Sequence, residues 1–136
     1  MKTVTTILIV LTVLALTVNN DLKAQNTSYK NVTANSIETL KKGIKSDNYG
    51  LRKSSIYMAG LYRINEAVDD LADQLKREQD SGTKVLIALS LYNIGNPEGM
   101  EAVRNLSEKD QDMKVKRMST AIYRAYIENC QSVSQR

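Results

Sequence analysis

A spacing of about thirty residues recurs through most of this 136-residue chain and limits what it can fold into. Residues 61–71 read LYRINEAVDDL and residues 91–106 read LYNIGNPEGMEAVRNL, so Leu-Tyr, a turn and Glu-Ala-Val occur twice. Three tyrosines, each preceded by Leu or Ile, lie 30 and 31 positions apart: Tyr62, Tyr92 and Tyr123. A fixed period of this length is typical of repeat architectures, in which one supersecondary unit recurs along the chain.

Each repeat is predicted to be a pair of helices. Apolar residues recur at spacings of three and four almost to the end of the chain, which predicts six helices of roughly 10–18 residues and no strand. Asn35 is expected to cap the first helix, with Glu38 three residues on, and Asn65 to cap the third. The other expected breaks contain cap and turn residues: Asp47-Asn48, Asp80-Ser81-Gly82, Gly95-Asn96-Pro97 and Asp110–Asp112. The fold class predicted from this pattern is all-α, with about three helix pairs.

The middle pair is expected to hold the core. Residues 85–91 read VLIALSL and are apolar on nearly every side, so this helix needs neighbours on both sides. Leu89 and Leu91 are both predicted to be buried. Because one helix pair cannot bury its apolar stripe alone, stacked pairs would make a continuous core.

The N-terminus reads as a targeting segment rather than part of the domain. Met1-Lys2 precedes the apolar run Thr3–Val18, and Leu22-Lys23-Ala24 offers a small residue for cleavage near Ala24/Gln25. We therefore expect a signal peptide over 1–24, a flexible polar leader over 25–35, a helical domain over 36–128 and a polar tail over 129–136. The apolar run is short for a membrane span, which needs about 20 residues, but an uncleaved anchor remains an alternative.

Export and composition exclude several classes of site. Cys130 is the only cysteine, so no internal disulfide is expected. It is predicted to be a semi-buried thiol, with an intermolecular bridge as the alternative. The chain contains no histidine, so it can hold neither a histidine-based triad nor a histidine-containing zinc site. The net charge of +4 is too mild to indicate nucleic acid.

The repeats resemble the HEAT repeat family, in its short HEAT-like class. The residues that carry the resemblance are the turn aspartates and the segment TKVLIALSLYNIG (83–95), over about Ser36 to Glu128. The period is shorter than is usual for HEAT arrays, and the first unit has a longer spacing from its turn to its tyrosine. The resemblance implies a right-handed α-solenoid that binds another macromolecule, with the second helix of each pair lining a concave face.

A row of polar side chains is the candidate binding site. Under the tyrosine alignment, Arg63, Asn93 and Arg124 occupy equivalent positions, and helical geometry places Arg52 with Arg63 and Arg117 with Arg124. If the second helices line a groove, it would be lined by these residues: Arg52, Arg63, Ser90, Asn93, Arg117 and Arg124. The alternative is a solvated outer face, as is common for charge runs.

Two other clusters are explained more simply as structural. Glu66, Asp69, Asp70 and Asp73 suit the N-terminal half of a helix dipole, whereas calcium prefers a wrapping loop, so no metal site is predicted. The tyrosines are expected at the edge of the core.

These patterns predict a function without catalysis. No hydrolase, P-loop or dinucleotide fingerprint occurs, so neither enzymatic activity nor a cofactor is predicted. We expect an exported adaptor, periplasmic or extracellular, that binds another protein with acidic segments. No nucleic acid and no small-molecule substrate is expected, and the membrane would be a partner only if the signal is uncleaved. The alternatives are an oligomerising structural protein and a membrane-anchored accessory subunit.

Overall fold

Six α-helices make up most of residues 33–134, the part of the chain that the computed structural model describes. They are α1 (Ala34–Ile44), α2 (Tyr49–Leu61), α3 (Val68–Arg77), α4 (Ser81–Ile94), α5 (Pro97–Lys109) and α6 (Met113–Ser134), with a 3-10 turn at Asn65–Ala67 before α3. This range contains no strand, which confirms the all-α prediction. The predicted signal peptide and most of the predicted leader lie outside the described residues.

The second helix of each pair begins in the same way. Asn48 caps α2 by accepting a hydrogen bond from the Leu51 amide, and Asp80 caps α4 by accepting one from the Thr83 amide. Asp112 accepts from the Lys114 amide at the start of α6. Side-chain oxygens at this position satisfy amides that the first turn of a helix leaves without partners. The three caps are spaced by 32 residues, so the second helices share one register.

The turn between α4 and α5 follows the sequence prediction. Gly95 adopts a left-handed conformation with φ of 77°, which glycine tolerates without steric cost, and it ends α4. Asn96 then accepts hydrogen bonds from the amides of Glu98 and Gly99, and Pro97 is the first residue of α5.

Three predictions about helix ends were wrong. Thr33, not Asn35, caps α1, because its hydroxyl accepts from the Ser36 amide. Asn65 does not cap α3: it begins the 3-10 turn, and its side-chain oxygen accepts a hydrogen bond from Asn96. The last helix continues as far as Ser134, so residues 129–134, expected to form a tail, are helical.

Helices of the same kind pack against each other. The second helices, α2, α4 and α6, contact their neighbours in that order, and the first helices, α1, α3 and α5, do the same. α4 packs against α2, α3, α5 and α6. The most deeply buried large side chains come from all six helices: Ile44, Ile56, Leu71, Ile87, Leu91, Met100, Val103 and Val115. The predicted central position of the VLIALSL helix is therefore confirmed.

Two burial predictions were wrong. Leu91 is fully buried, but Leu89 on the same helix is 41% exposed. α4 therefore has one outward side despite its apolar sequence. Cys130 is exposed rather than semi-buried, because it lies on the last turns of α6, where the side chains of residues 127–133 are exposed.

None of the helices in residues 33–134 is both long and apolar enough to cross a bilayer.

Candidate functional site

Two buried ion pairs at equivalent positions join successive helix pairs. Arg52, the fourth residue of α2, lies with its Nε 3.1 Å from Glu78 Oε2, just after α3. Lys84, the fourth residue of α4, lies with its Nζ 2.6 Å from Asp110 Oδ2, just after α5. The acidic side chains are only 5% and 6% exposed. Both partners shift by 32 residues from one pair to the next, so this is one contact made twice.

Each acidic residue also holds the turn in which it lies. Glu78 Oε1 accepts hydrogen bonds from the amides of Gln79 and Asp80, at 3.0 and 3.1 Å. Asp110 Oδ1 accepts from the Asp112 amide at 2.8 Å. The carboxylates therefore fix the start of the next second helix as well as receiving the cation.

The ionised form of both acids is favoured. Burial alone would raise the pKa of Asp110, but the hydrogen bonds from Lys84 and the Asp112 amide outweigh it and hold that pKa below its ordinary value. Burial likewise acts to raise the pKa of Glu78. The amide of Asp80 and the side chains of Gln74 and Arg52 lower it further than burial raises it.

A second repeated contact lies beside the first. The Tyr49 hydroxyl, on the first residue of α2, donates to Asp80 Oδ2 at 3.3 Å. The Ser81 hydroxyl, on the first residue of α4, donates to Asp112 Oδ2 at 2.5 Å. A hydroxyl at the start of one second helix therefore binds the cap of the next.

The same positions on α6 have no such partners among residues 33–134. The fourth residue of α6 is Lys116, and no ion pair within residues 33–134 includes it. The first residue is Met113, which is 74% exposed. Around them lies a cleft of about 400 Å³, here called the terminal basic cleft, lined by Met113, Lys114, Lys116, Arg117 and Thr120.

The outward side of the second helices carries apolar residues in the 32-residue register. Tyr57 on α2 and Leu89 on α4 are equivalent and are 53% and 41% exposed, and Ala121 takes the same exposed position on α6. We call Tyr57, Leu89 and Ala121 the second-helix row. Further exposed apolar side chains adjoin it, Leu61 four residues beyond Tyr57 and Met118 three residues before Ala121.

Charge is divided unevenly between the two sets of helices. The second helices carry one acidic residue, Glu128, against seven basic ones: Arg52, Lys53, Lys84, Lys114, Lys116, Arg117 and Arg124. The first helices carry acidic and basic residues in nearly equal number. Arg52 and Lys84 are paired with Glu78 and Asp110, so the excess of positive charge lies mainly on α6. The α6 end of the second-helix row therefore favours ligands that combine apolar and acidic groups.

The predicted polar row does not form one groove. Ser90 is buried and donates to the carbonyl of Ile56 at 2.9 Å, between α4 and α2. Arg52 is held by Glu78 and by the carbonyl of Ser46. Of the other members, the structure leaves four exposed: Arg63, just past the end of α2, Asn93, Arg117 and Arg124. The tyrosine spacing of 30 and 31 residues misaligned the helices, whose starts are 32 residues apart.

The acidic cluster of α3 includes one residue with an unexpected role. Asp70 is buried and pairs with Lys45 and, at 3.4 Å, with Lys41, so it ties α3 to α1. No group of residues in the described range is arranged to hold a metal ion.

Sequence reasoning also missed the repeated ion pairs, although their signal was visible. Arg52, Lys84 and Lys116 are 32 residues apart, and so are Glu78 and Asp110.

Comparisons of this chain with protein-family models, with curated proteins and with solved structures found no match.

Proposed function

We propose that this chain is an exported, non-enzymatic helical-repeat protein that binds another protein through the second-helix row. In this proposal the three helix pairs form a short right-handed α-solenoid of the HEAT-like kind. The ion pairs and hydroxyl contacts that recur every 32 residues support a regular stack, since a repeat protein is stabilised by equivalent interfaces between neighbours.

The observation that carries the binding proposal is the exposed apolar row itself. Tyr57 and Leu89 project outward from helices whose opposite sides are anchored in the core, so they are held in place before any partner arrives. Tyrosine and other large side chains provide much of the energy at protein interfaces, and a fixed position lowers the entropy lost on binding. The basic residues nearby suit a partner with an apolar segment flanked by acidic residues.

The test is affinity capture from a periplasmic extract with matched variants. We expect Tyr57→Ser combined with Leu89→Ser to remove the proteins that the wild type captures. Val133→Ser, which changes another exposed apolar side chain at the end of α6, should leave them in place. All three proteins should give the same circular dichroism spectrum. Recovery of the same proteins by all three would contradict a role for the second-helix row.

Export is tested separately on the product in cells. Expressed in a Gram-negative host, the protein should be recovered from the periplasm with an N-terminus near Gln25, as the proposed cleavage requires. A membrane-bound product that retains Met1 would contradict export by cleavage and favour the anchored alternative.

A further inference from the structure

The terminal basic cleft presents cations without a matching acid. Lys114, Lys116 and Arg117 line it together with Thr120 and Met113, and none of the lining residues is acidic. No ion pair in the described part of the chain includes any of the three cations. A concave surface of this composition attracts negatively charged groups.

The equivalent positions on α2 and α4 show what binds at the position of Lys116. Lys84 receives the turn Asp110-Gln111-Asp112, and Arg52 receives the turn Glu78-Gln79-Asp80. Both turns follow the end of a helix and both spell acid-Gln-Asp. Lys116 holds the same place on α6, so an acid-x-Asp turn at the end of a helix is the chemistry that fits it. Tyr49 and Ser81 each donate a hydroxyl hydrogen bond to the second acid of the turn, but the equivalent residue on α6 is Met113, which has no hydroxyl. The first acid of the turn therefore makes the main contact.

The described residues, 33–134, place no such turn against Lys116, since no ion pair among them includes it. A second copy stacked on α6 would present its first turn, Ser46-Asp47-Asn48, with serine where the first acid is needed. We therefore assign the acid to a different protein.

We propose that the terminal basic cleft binds an acidic turn of a partner protein, in which a helix ends at Asp or Glu and a second Asp follows two residues later. The first carboxylate pairs with Lys116 Nζ. Lys114 and Arg117 lie on either side of Lys116 in the sequence. The residues that line the cleft include no member of the second-helix row, and the proposal goes beyond the proposed function, so either can hold without the other.

The probe is a fluorescent peptide that copies residues 97–112 of this chain and therefore ends in Asp-Gln-Asp. Its matched control carries Asn in place of both of these aspartates. Measured by fluorescence anisotropy with the purified protein, the acidic peptide should bind saturably and more weakly as salt rises. The Asn peptide should bind at least about tenfold more weakly, since it lacks the charge-assisted hydrogen bond.

Protein variants identify the residue that binds. Lys116→Ala should weaken binding of the acidic peptide about tenfold, and Lys116→Arg should retain it. Lys42→Ala, an exposed lysine on α1, and the double change at Tyr57 and Leu89 should bind like the wild type.

Four results would overturn the proposal. The first is the absence of saturable binding, and the second is equal binding by Lys116→Ala and the wild type. The third is displacement of the peptide by inorganic phosphate at equal concentration, which would make the cleft a simple anion site. Self-association of the protein that Lys116→Ala abolishes would also overturn it, because the occupant would then be a second copy.

Discussion

α4 and α6 begin alike but have different surroundings. The fourth residue of each is lysine, yet Lys84 reaches the buried Asp110 whereas Lys116 lines an open cleft. Ala88, one turn beyond Lys84, is buried, whereas its equivalent on α6, Thr120, is exposed.

Lys84 and Lys116 occupy equivalent positions, so what each lysine contacts depends on whether another helix pair follows it. Where another helix pair follows in the chain, the basic residue joins the two pairs. On α6, the last second helix of residues 33–134, the same residue lines an open cleft. Terminal units of repeat proteins need such a polar outer side for solubility.

The largest expected effect concerns Leu89 and Leu91 of α4, which face opposite sides. Leu91→Ala should lower the free energy of unfolding by about 2–5 kcal/mol, because it leaves a cavity at a fully buried site. Leu89→Ala should cost under about 1 kcal/mol, because that side chain is 41% exposed. Denaturant titration measures both, and equal losses would mean that α4 has no outward side.

The helical architecture could be predicted from the sequence, but the side of each helix that faces solvent could not. Asn48, Asp80 and Pro97 mark helix starts because their side chains have specific roles there. Leu89 was misplaced because the segment VLIALSL is apolar at nearly every position, so its pattern does not show which side faces water. Ser90 was misplaced for the opposite reason, since a small hydroxyl can be buried when a backbone carbonyl accepts its hydrogen bond.

The residues of the candidate site were misaligned because the three second helices were aligned on their tyrosines. Tyr62 lies just past the end of α2, Tyr92 lies in the last turn of α4, and Tyr123 lies near the middle of α6. The helix starts keep a constant spacing of 32 residues but the tyrosines do not, so an alignment on the tyrosines shifts the three helices against each other.

The next largest expected effect on stability concerns a close contact between α2 and α4. A Cβ added at Gly60 would lie 2.6 Å from the Cα of Ser90, which is too close for a backbone atom. Gly60→Ala should therefore destabilise the protein by about 1–3 kcal/mol, as overpacking does. A Cβ added at Gly50, earlier on the same helix, would lie 3.5 Å from Asn48 Oδ1, an ordinary van der Waals contact, so Gly50→Ala should be neutral or stabilising by up to about 1 kcal/mol. Thermal melts should show a lowered midpoint for Gly60→Ala and an unchanged or raised midpoint for Gly50→Ala; equal shifts would place the close contact elsewhere.

Acid should weaken the stack through the buried carboxylates. The pKa of Asp110 is below its ordinary value, so its ionised form stabilises the fold above about pH 4, and this stabilisation is lost as the pH falls through the lowered pKa. Asp110→Asn should be less stable than the wild type at pH 7, and the difference should shrink on acidification. Asp47→Asn, at an exposed position, should follow the wild type at every pH. A constant difference for Asp110→Asn across pH 2–7 would contradict the ionised pair; the range is set from the ordinary pKa of about 4.

The most direct test compares the two equivalent lysines by denaturant titration at pH 7. Lys84→Ala should lower the free energy of unfolding by about 1–2 kcal/mol, because it leaves the buried carboxylate of Asp110 without its cation. Lys116→Ala removes the same side chain from the same position of α6 and should change stability by less than about 0.5 kcal/mol. That result would show that a basic residue at the fourth position of a second helix stabilises the fold only where another helix pair follows. Equal losses at the two positions, or a larger loss at Lys116, would contradict it.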